Sequence, residues 1–373
     1  MLVLLYNSLG PADGEFLSRC GSSCVLLRQS AHVDCILMPS PIEQPNIPDH
    51  RIAPSVALAI DWVFHRLNRF TPFDDDDIYR PSRTKPFIEL AIMFAVYAAV
   101  TGDTASPTVQ SAAQLFQAAS KRADFTDWTL RLPAELVNYA EVCAAVDELG
   151  GDAGELRHRL QSAVDAGAIF QVERLPHRLL ELRAALDWAG VVHPLPPTSD
   201  ICSQTILGKA LSASLLSDSA IYAITHVILF GSRFGLMQGA LPDWSRSAPV
   251  RDLLCDLLVV TSQARNWDLL GELLLCWDCI GFKHDLVTTA GWASFLDAFR
   301  ADGAVLPSPA KGVDGKAKLE DIQVEHGDET SDFDHVYHTT LVAVLAGTVF
   351  LNRSRLHVSA APASAKNGGR LVK

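Results

Sequence analysis

The sequence predicts an all-α protein, an array of α/α-hairpins closing into an irregular α/α toroid. Three observations carry that expectation. Apolar residues recur at helical spacing, as in APSVALAIDWVFHRLNRF, where Val56, Ile60, Val63 and Leu67 share a face. No stretch sustains the alternation of a half-buried strand. The breaks between helical stretches are mostly short and rich in turn residues, among them Gly150-Gly151, His193–Pro197, Gly235, Gly303 and Pro307. Short connections imply that consecutive helices pack antiparallel.

Taken in order, residues 1–50 form an irregular N-terminal arm. They lack helical periodicity, and prolines at 39, 41, 45 and 48 forbid a regular helix there. The same lack of core pattern fits a start assigned too early, with Met38 as the true one. Residues 51–355 read as one helical domain, and 356–373 as a flexible tail. After the helix in 53–70, the acidic loop TPFDDDDIYRPSRTKP leads into PFIELAIMFAVYAAV, with Pro86 in its first turn and Glu89 as its only charge. Further helices are expected at 107–122, 133–149, 153–167, 174–190, 200–216, 217–234, 249–262, 266–281, 286–301 and 334–352. The polar segment 304–332 reads as a mobile loop. Tryptophan-bearing segments such as IDWVFHRL and NWDLLGEL resemble one another without a clean period, so one irregular domain is expected rather than a regular repeat.

The net charge of −12 argues against broad electrostatic binding to nucleic acid or anionic lipid, which needs basic patches. Hydrophobic residues at 49% and charged residues at 20% are an ordinary globular balance. Eight cysteines in 373 residues are too sparse for a disulfide framework. Cys276 and Cys279 form a CxxC with His284 nearby, but no second ligand pair accompanies them, so they read as core and His284 as dispensable. The N-terminus lacks the basic region of a signal peptide. No apolar run is expected to span a bilayer; the longest candidate, TTLVAVLAGTVFL at 339–351, is about two-thirds of a spanning helix. A cytoplasmic protein without a membrane anchor is expected.

Candidate chemistry lies where titrating groups interrupt apolar helices, because charges are rarely buried unless paired or used. In SDSAIYAITHVILFG, Tyr222 and His226 are four apart and share a face, Thr225 adjoins them, and Ser217 or Asp218 is placed to cap. In NWDLLGELLLCW, Asp268 and Glu272 have the same spacing, so both carboxylates leave one face of a helix that is apolar almost all round. Asp252 and Asp256 repeat that spacing one helix earlier. In FDHVYHTTLVAVLAG, Asp334 is placed to cap, His335 falls in the first turn, and His338 lies deeper beside Tyr337, Thr339 and Thr340. His226, His338, Asp268 and Glu272 are therefore the expected interior cluster, with Tyr222, Thr225, Tyr337 and Thr339 as substrate contacts. Such donors suit acid/base catalysis, and equally suit a divalent metal, Zn, Mn or Fe. Each group also has a structural reading as a satisfied core residue. The four consecutive aspartates read as a solvated loop. No P-loop, GxGxxG, GxSxG or HExxH is present.

WDLLGELLLCW, YHTTLVAVLAG, YAITHVILFG and KPFIELAI together resemble a bacterial all-helical family of uncharacterised function, over about residues 53–352. Members of that family look like ones found beside natural-product biosynthesis genes. Residue by residue the resemblance points to Thr225, His226, Asp268, Glu272, Tyr337, His338 and Thr339. GWASFLDAFRADGAVLP is more loosely similar to α/α-toroid cyclases of the terpene and lanthionine types, but the DxDD acid motif of the former and the cysteine-based zinc pattern of the latter are missing.

Two functions follow as expectations. One is a small-molecule enzyme, in bacterial secondary metabolism, with an interior His/carboxylate site. The other is a helical scaffold that binds a partner protein and whose polar cluster is structural. The enzyme needs the four side chains beside an accessible cavity; the scaffold needs them packed solid.

Overall fold

The computed structural model describes residues 49–80, 83–127, 131–209, 212–308 and 329–359. The N-terminal arm before residue 49, most of the loop expected at 304–332, and the tail from residue 360 lie outside them. Among the described residues the chain is all-helical, with isolated bridges at Phe73–Tyr79 and Phe299–Val305 in place of any strand. The helices are α1 (Asp49–Phe64), α2 (Thr84–Thr101), α3 (Pro107–Ser120), the single turn α4 (Ala123–Thr126), α5 (Leu136–Glu148), α6 (Gly154–Asp165) and α7 (Pro176–Trp188). They continue with α8 (Thr198–Gln204), α9 (Asp218–Gly231), α10 (Ala248–Gln263), α11 (Trp267–Ile280), α12 (Leu286–Leu296) and α13 (Glu329–Ser359).

Local chemistry sets several boundaries. Ser217 caps α9 by accepting from the Ala220 amide, and Asn266 caps α11 by accepting from Leu269. Asp285 and Thr288 form a capping box on α12. Gly102 and Gly281 end α2 and α11 in the left-handed conformation.

Three expected helices differ. The one at 200–216 stops at Gln204 and gives way to 3-10 turns at Ile206–Gly208 and Ala213–Leu215. There the Thr205 hydroxyl donates to the Cys202 carbonyl at 2.7 Å, in competition with the helical ladder. The helix from 286 stops at Leu296 because the chain turns through Gly303, at φ +93°; a Cβ on Gly303 would come within 2.2 Å of the Leu58 carbonyl. The last helix begins at Glu329 rather than at Asp334. Asp334 is thus a residue of its early turns and not its cap, and acids there suit the positive end of the helix.

Helix packing follows a cyclic order. α2 packs on α5, α5 on α7, α7 on α9, α9 on α11, α11 on α13, and α13 back on α2. Between consecutive members of this cycle the chain visits a flanking helix: α3 packs against α2 and α5, α6 against α5, α8 against α7 and α9, and α10 and α12 against α11. α1 lies on α13. α11 is buried over its whole length, Trp267–Ile280, as a helix apolar on every side must be. α2 has the length and apolarity of a membrane span, contrary to the expectation that no run does; 61% of it is buried inside the protein, as befits a core helix.

Candidate functional site

All six helices of the cycle contribute to one cavity of about 400 Å³. α2 supplies Lys85 and Glu89, α5 Glu141, α7 Arg178 and Glu181, α9 His226, α11 Glu272, and α13 His338. The remaining wall is apolar, with Ile88, Leu229, Phe230, Leu275 and Leu341 among its residues. Five glutamates line the space, since Glu135 joins those four. Three of them, Glu141, Glu181 and Glu272, are buried, and carboxylates so rarely go under cover that their convergence is the defining feature of this interior.

Asp268, Glu272 and His338 form the densest part. Their ligating atoms all lie within 4.8 Å of one another. His338 Nε2 is 2.9 Å from Asp268 Oδ1 and 4.0 Å from Glu272 Oε1. His338 Nδ1 is 2.8 Å from Glu89 Oε2, and Lys85 Nζ is 3.6 Å from the other oxygen of Glu89. The outer oxygens of the two α11 acids are held from α9: Tyr222 donates to Asp268 Oδ2, and Thr225 donates to Glu272 Oε2 at 2.5 Å. The i, i+4 spacing of Tyr222 and His226, and of Asp268 and Glu272, sets these side chains in register along facing helices.

Electrostatics separates the two acids. Burial raises the Asp268 carboxyl, but the His338 ring and the Tyr222 hydroxyl outweigh it and hold it below the usual range. Glu272 goes the other way, pushed up by burial and by the charge of Asp268. Burial also works against a charged His338; Asp268 and Glu89 overcome it and hold the imidazolium well above the ordinary histidine range.

His226 is not a member of that triad. Its Nδ1 lies 2.5 Å from Glu181 Oε1, and Arg178 donates to the other oxygen of Glu181 at 2.8 Å. Burial disfavours its charged form, yet Glu181 and the nearby Glu272 raise its pKa. Glu181 is lowered: burial acts upward, but His226 and Arg178 prevail. The four residues expected as one cluster thus divide into a triad and a separate histidine–glutamate pair, with His226, Glu272 and His338 on the cavity wall and Asp268 behind it.

None of the four expected substrate contacts lines the cavity. Tyr222 and Thr225 brace carboxylates from behind, while Tyr337 is buried against Phe70 and Phe333 and Thr339 is buried in α13. Asp252 and Asp256 are exposed and add nothing to the site. Cys276 and Cys279 are buried core residues, and His284 pairs with Asp278 at 2.7 Å. In the acidic loop Asp74 accepts from the amides of Asp76 and Ile78 and pairs with Arg80.

Glu141, Glu181 and Arg178 are not among the residues the sequence singles out, and Glu89 stands out there only as the lone charge of its helix. Glu141 was the most detectable. It is a lone charge in VNYAEVCAAV, and it is 6% exposed with no hydrogen-bond partner among the described residues. Burial and the charges of Glu181 and Glu89 push its carboxyl well above the usual range.

Fold and site together define an all-helical protein with a central histidine–carboxylate cavity. The chain belongs to the family described as a domain of unknown function (DUF6895), which it matches over residues 56–348. That stretch holds every residue of the cavity. No curated protein and no solved structure matches the chain.

Proposed function

We propose that this protein is an enzyme that performs acid/base chemistry on a small organic molecule held inside an α/α toroid. The observation that carries the reading is the cavity itself: six cyclically packed helices surround about 400 Å³ of space with His226, oriented by Glu181, on its wall. The alternation of cycle helices with flanking helices is what a toroid of hairpins requires. A scaffold whose polar cluster is structural has no need of that space.

His226 is the proton-moving residue. Glu181 fixes Nδ1, which leaves Nε2 for a substrate and favours the protonated ring once a proton is taken. Glu141, its carboxyl raised by burial and without a hydrogen-bond partner among the described residues, is placed as the complementary acid. Groups whose environments push their pKa values apart in one cavity are a recurrent acid/base arrangement. The mixed wall suits a substrate with an apolar body and polar or cationic substituents. We place the protein in the cytoplasm and, from the resemblance to the family seen near biosynthesis genes, in bacterial secondary metabolism.

The test compares wild type with His226→Asn and Glu181→Gln in extracts of small molecules, read by mass spectrometry. Wild type is expected to consume a compound that both variants leave, with unchanged helical content. Turnover that survives both substitutions removes His226 from the chemistry. No compound consumed by wild type overturns the enzyme reading.

A further inference from the structure

We infer that Asp268, Glu272 and His338 form a binding site for one divalent transition-metal ion, with Glu89, Tyr222 and Thr225 as the groups that orient its ligands. The inference deepens the proposed function and rests on the same cavity, but it is tested by metal uptake alone.

The geometry points to a third atom. His338 Nε2 and Asp268 Oδ1 are 2.9 Å apart, yet Oδ1 is a buried oxygen without an aligned hydrogen bond. An N–H aimed at Oδ1 would close that bond. Two donors each roughly 2.1 Å from a common ion and at right angles to it are about 3 Å apart without pointing at one another. The 4.0 Å separation of Nε2 from Glu272 Oε1 fits a wider angle at the same ion. Each ligand has its other polar atom held from outside the triad: Asp268 Oδ2 by Tyr222, Glu272 Oε2 by Thr225, and His338 Nδ1 by Glu89. That leaves one atom per residue for the ion. A carboxylate on the far nitrogen of a ligating histidine is the usual outer support of such sites.

The donor set names the class of metal. One imidazole and two carboxylates suit Mn, Fe or Zn rather than the all-oxygen sites of Ca or Mg. Three protein ligands leave positions for solvent or substrate, and Glu272 and His338 both line the cavity, so those positions open where a substrate binds. His226 belongs to the Glu181 pair and His284 to Asp278, so neither is a ligand.

The experiment strips the purified full chain with chelator and titrates it with Co(II), Mn(II) and Zn(II). Calorimetry, visible absorption of the Co(II) form and elemental analysis are the readouts. One equivalent is expected to bind at micromolar concentration or tighter. Asp268→Asn and Glu272→Gln should each weaken binding at least 100-fold, and Glu89→Gln by about 10–100-fold. His226→Gln and His284→Ala should retain it. Failure of wild type to take up one equivalent overturns the site, and so does uptake that survives both Asp268→Asn and Glu272→Gln. Loss in a His284→Ala variant that keeps wild-type helical content moves the metal elsewhere. If Asp268→Asn does not fold, wild-type stoichiometry with Glu272→Gln and Glu89→Gln decides. A protein that binds no metal yet still turns over a small molecule loses this site and keeps the proposed function; one that binds metal and nothing else does the reverse.

Discussion

His226 and His338 stand on either side of α11, and each turns Nδ1 away from it onto a glutamate of the next helix in the cycle. For His226 the partner is Glu181 of α7 at 2.5 Å; for His338 it is Glu89 of α2 at 2.8 Å. The acids of α11, Asp268 and Glu272, lie between. Opposite α11 in the cyclic order is α5, which brings the unpartnered Glu141. One helix of acids flanked by two supported histidines, facing a buried glutamate whose carboxyl is raised, gives the cavity a different chemistry on each side.

The Glu181–His226 pair predicts a stability plateau in pH. Glu181 is lowered in the fold, so its contribution is present above its unfolded value near 4.5 and is lost as pH falls through the folded value. His226 is raised, so its contribution is complete below 6.5 and is lost as pH rises through the higher folded value. Arg178, His177 and Glu272 also face the pair and set the exact limits. Melting temperature against pH should therefore peak between the two limbs. Glu181→Gln should flatten both and, by unpairing a buried ion, cost about 3–5 kcal/mol on the plateau. Unchanged limbs in that variant would show that other groups dominate.

Glu141→Gln should stabilise the protein at neutral pH. The unfolded carboxyl ionises near 4.5 and the folded one only well above it, so wild-type stability falls with pH in between. The slope from this single group is about 1.4 kcal/mol per pH unit. Glutamine removes it. Urea unfolding at pH 4 and pH 7 should show near equality at the first and a more stable variant at the second. A variant less stable at pH 7 would mean that the carboxylate is charged and paired.

Much of this was legible in the sequence, for a physical reason. Charges that interrupt apolar helices, such as His226, Asp268, Glu272 and His338, are conspicuous because burial makes them costly. Glu181 was not conspicuous, since PHRLLELRAALDW carries charges on several faces and conceals the one that points inward. Pairing was also hidden: i, i+4 spacing reports a shared face but not which neighbouring helix it meets. What separates His226 from the triad is the packing of α7 beside α9, which no spacing reports.

Gly271 lies where α11 meets its neighbours. A Cβ there would sit 2.7 Å from Val342 Cγ1 and 2.8 Å from Phe295 Cζ, both buried side chains with little room to yield. Gly271→Ala should cost roughly 1–3 kcal/mol by overpacking. It should also push α11 from α13, and so separate Asp268 and Glu272 from His338. Denaturant unfolding reads the first effect, and weakened Co(II) binding in the folded variant reads the second. A variant as stable as wild type would show that the helices can part without cost.

His284→Ala tests whether a histidine outside the cavity matters to the fold. Its sequence context suggests a dispensable residue, but it is the partner of Asp278, which is 2% exposed. Asp278 Oδ2 has no hydrogen bond of its own, so removing His284 leaves a buried carboxylate wholly unpaired. The loss should be about 3–5 kcal/mol, typical of breaking rather than replacing a buried pair. His284→Phe combined with Asp278→Leu should recover most of it, because two apolar groups of similar size need no partner. Small-molecule turnover should be unchanged where the single variant is folded, since neither residue lines the cavity. Recovery by His284→Phe alone, with Asp278 left in place, would mean that His284 acts through its ring packing on Phe350, at 5.1 Å, rather than through its bond to Asp278.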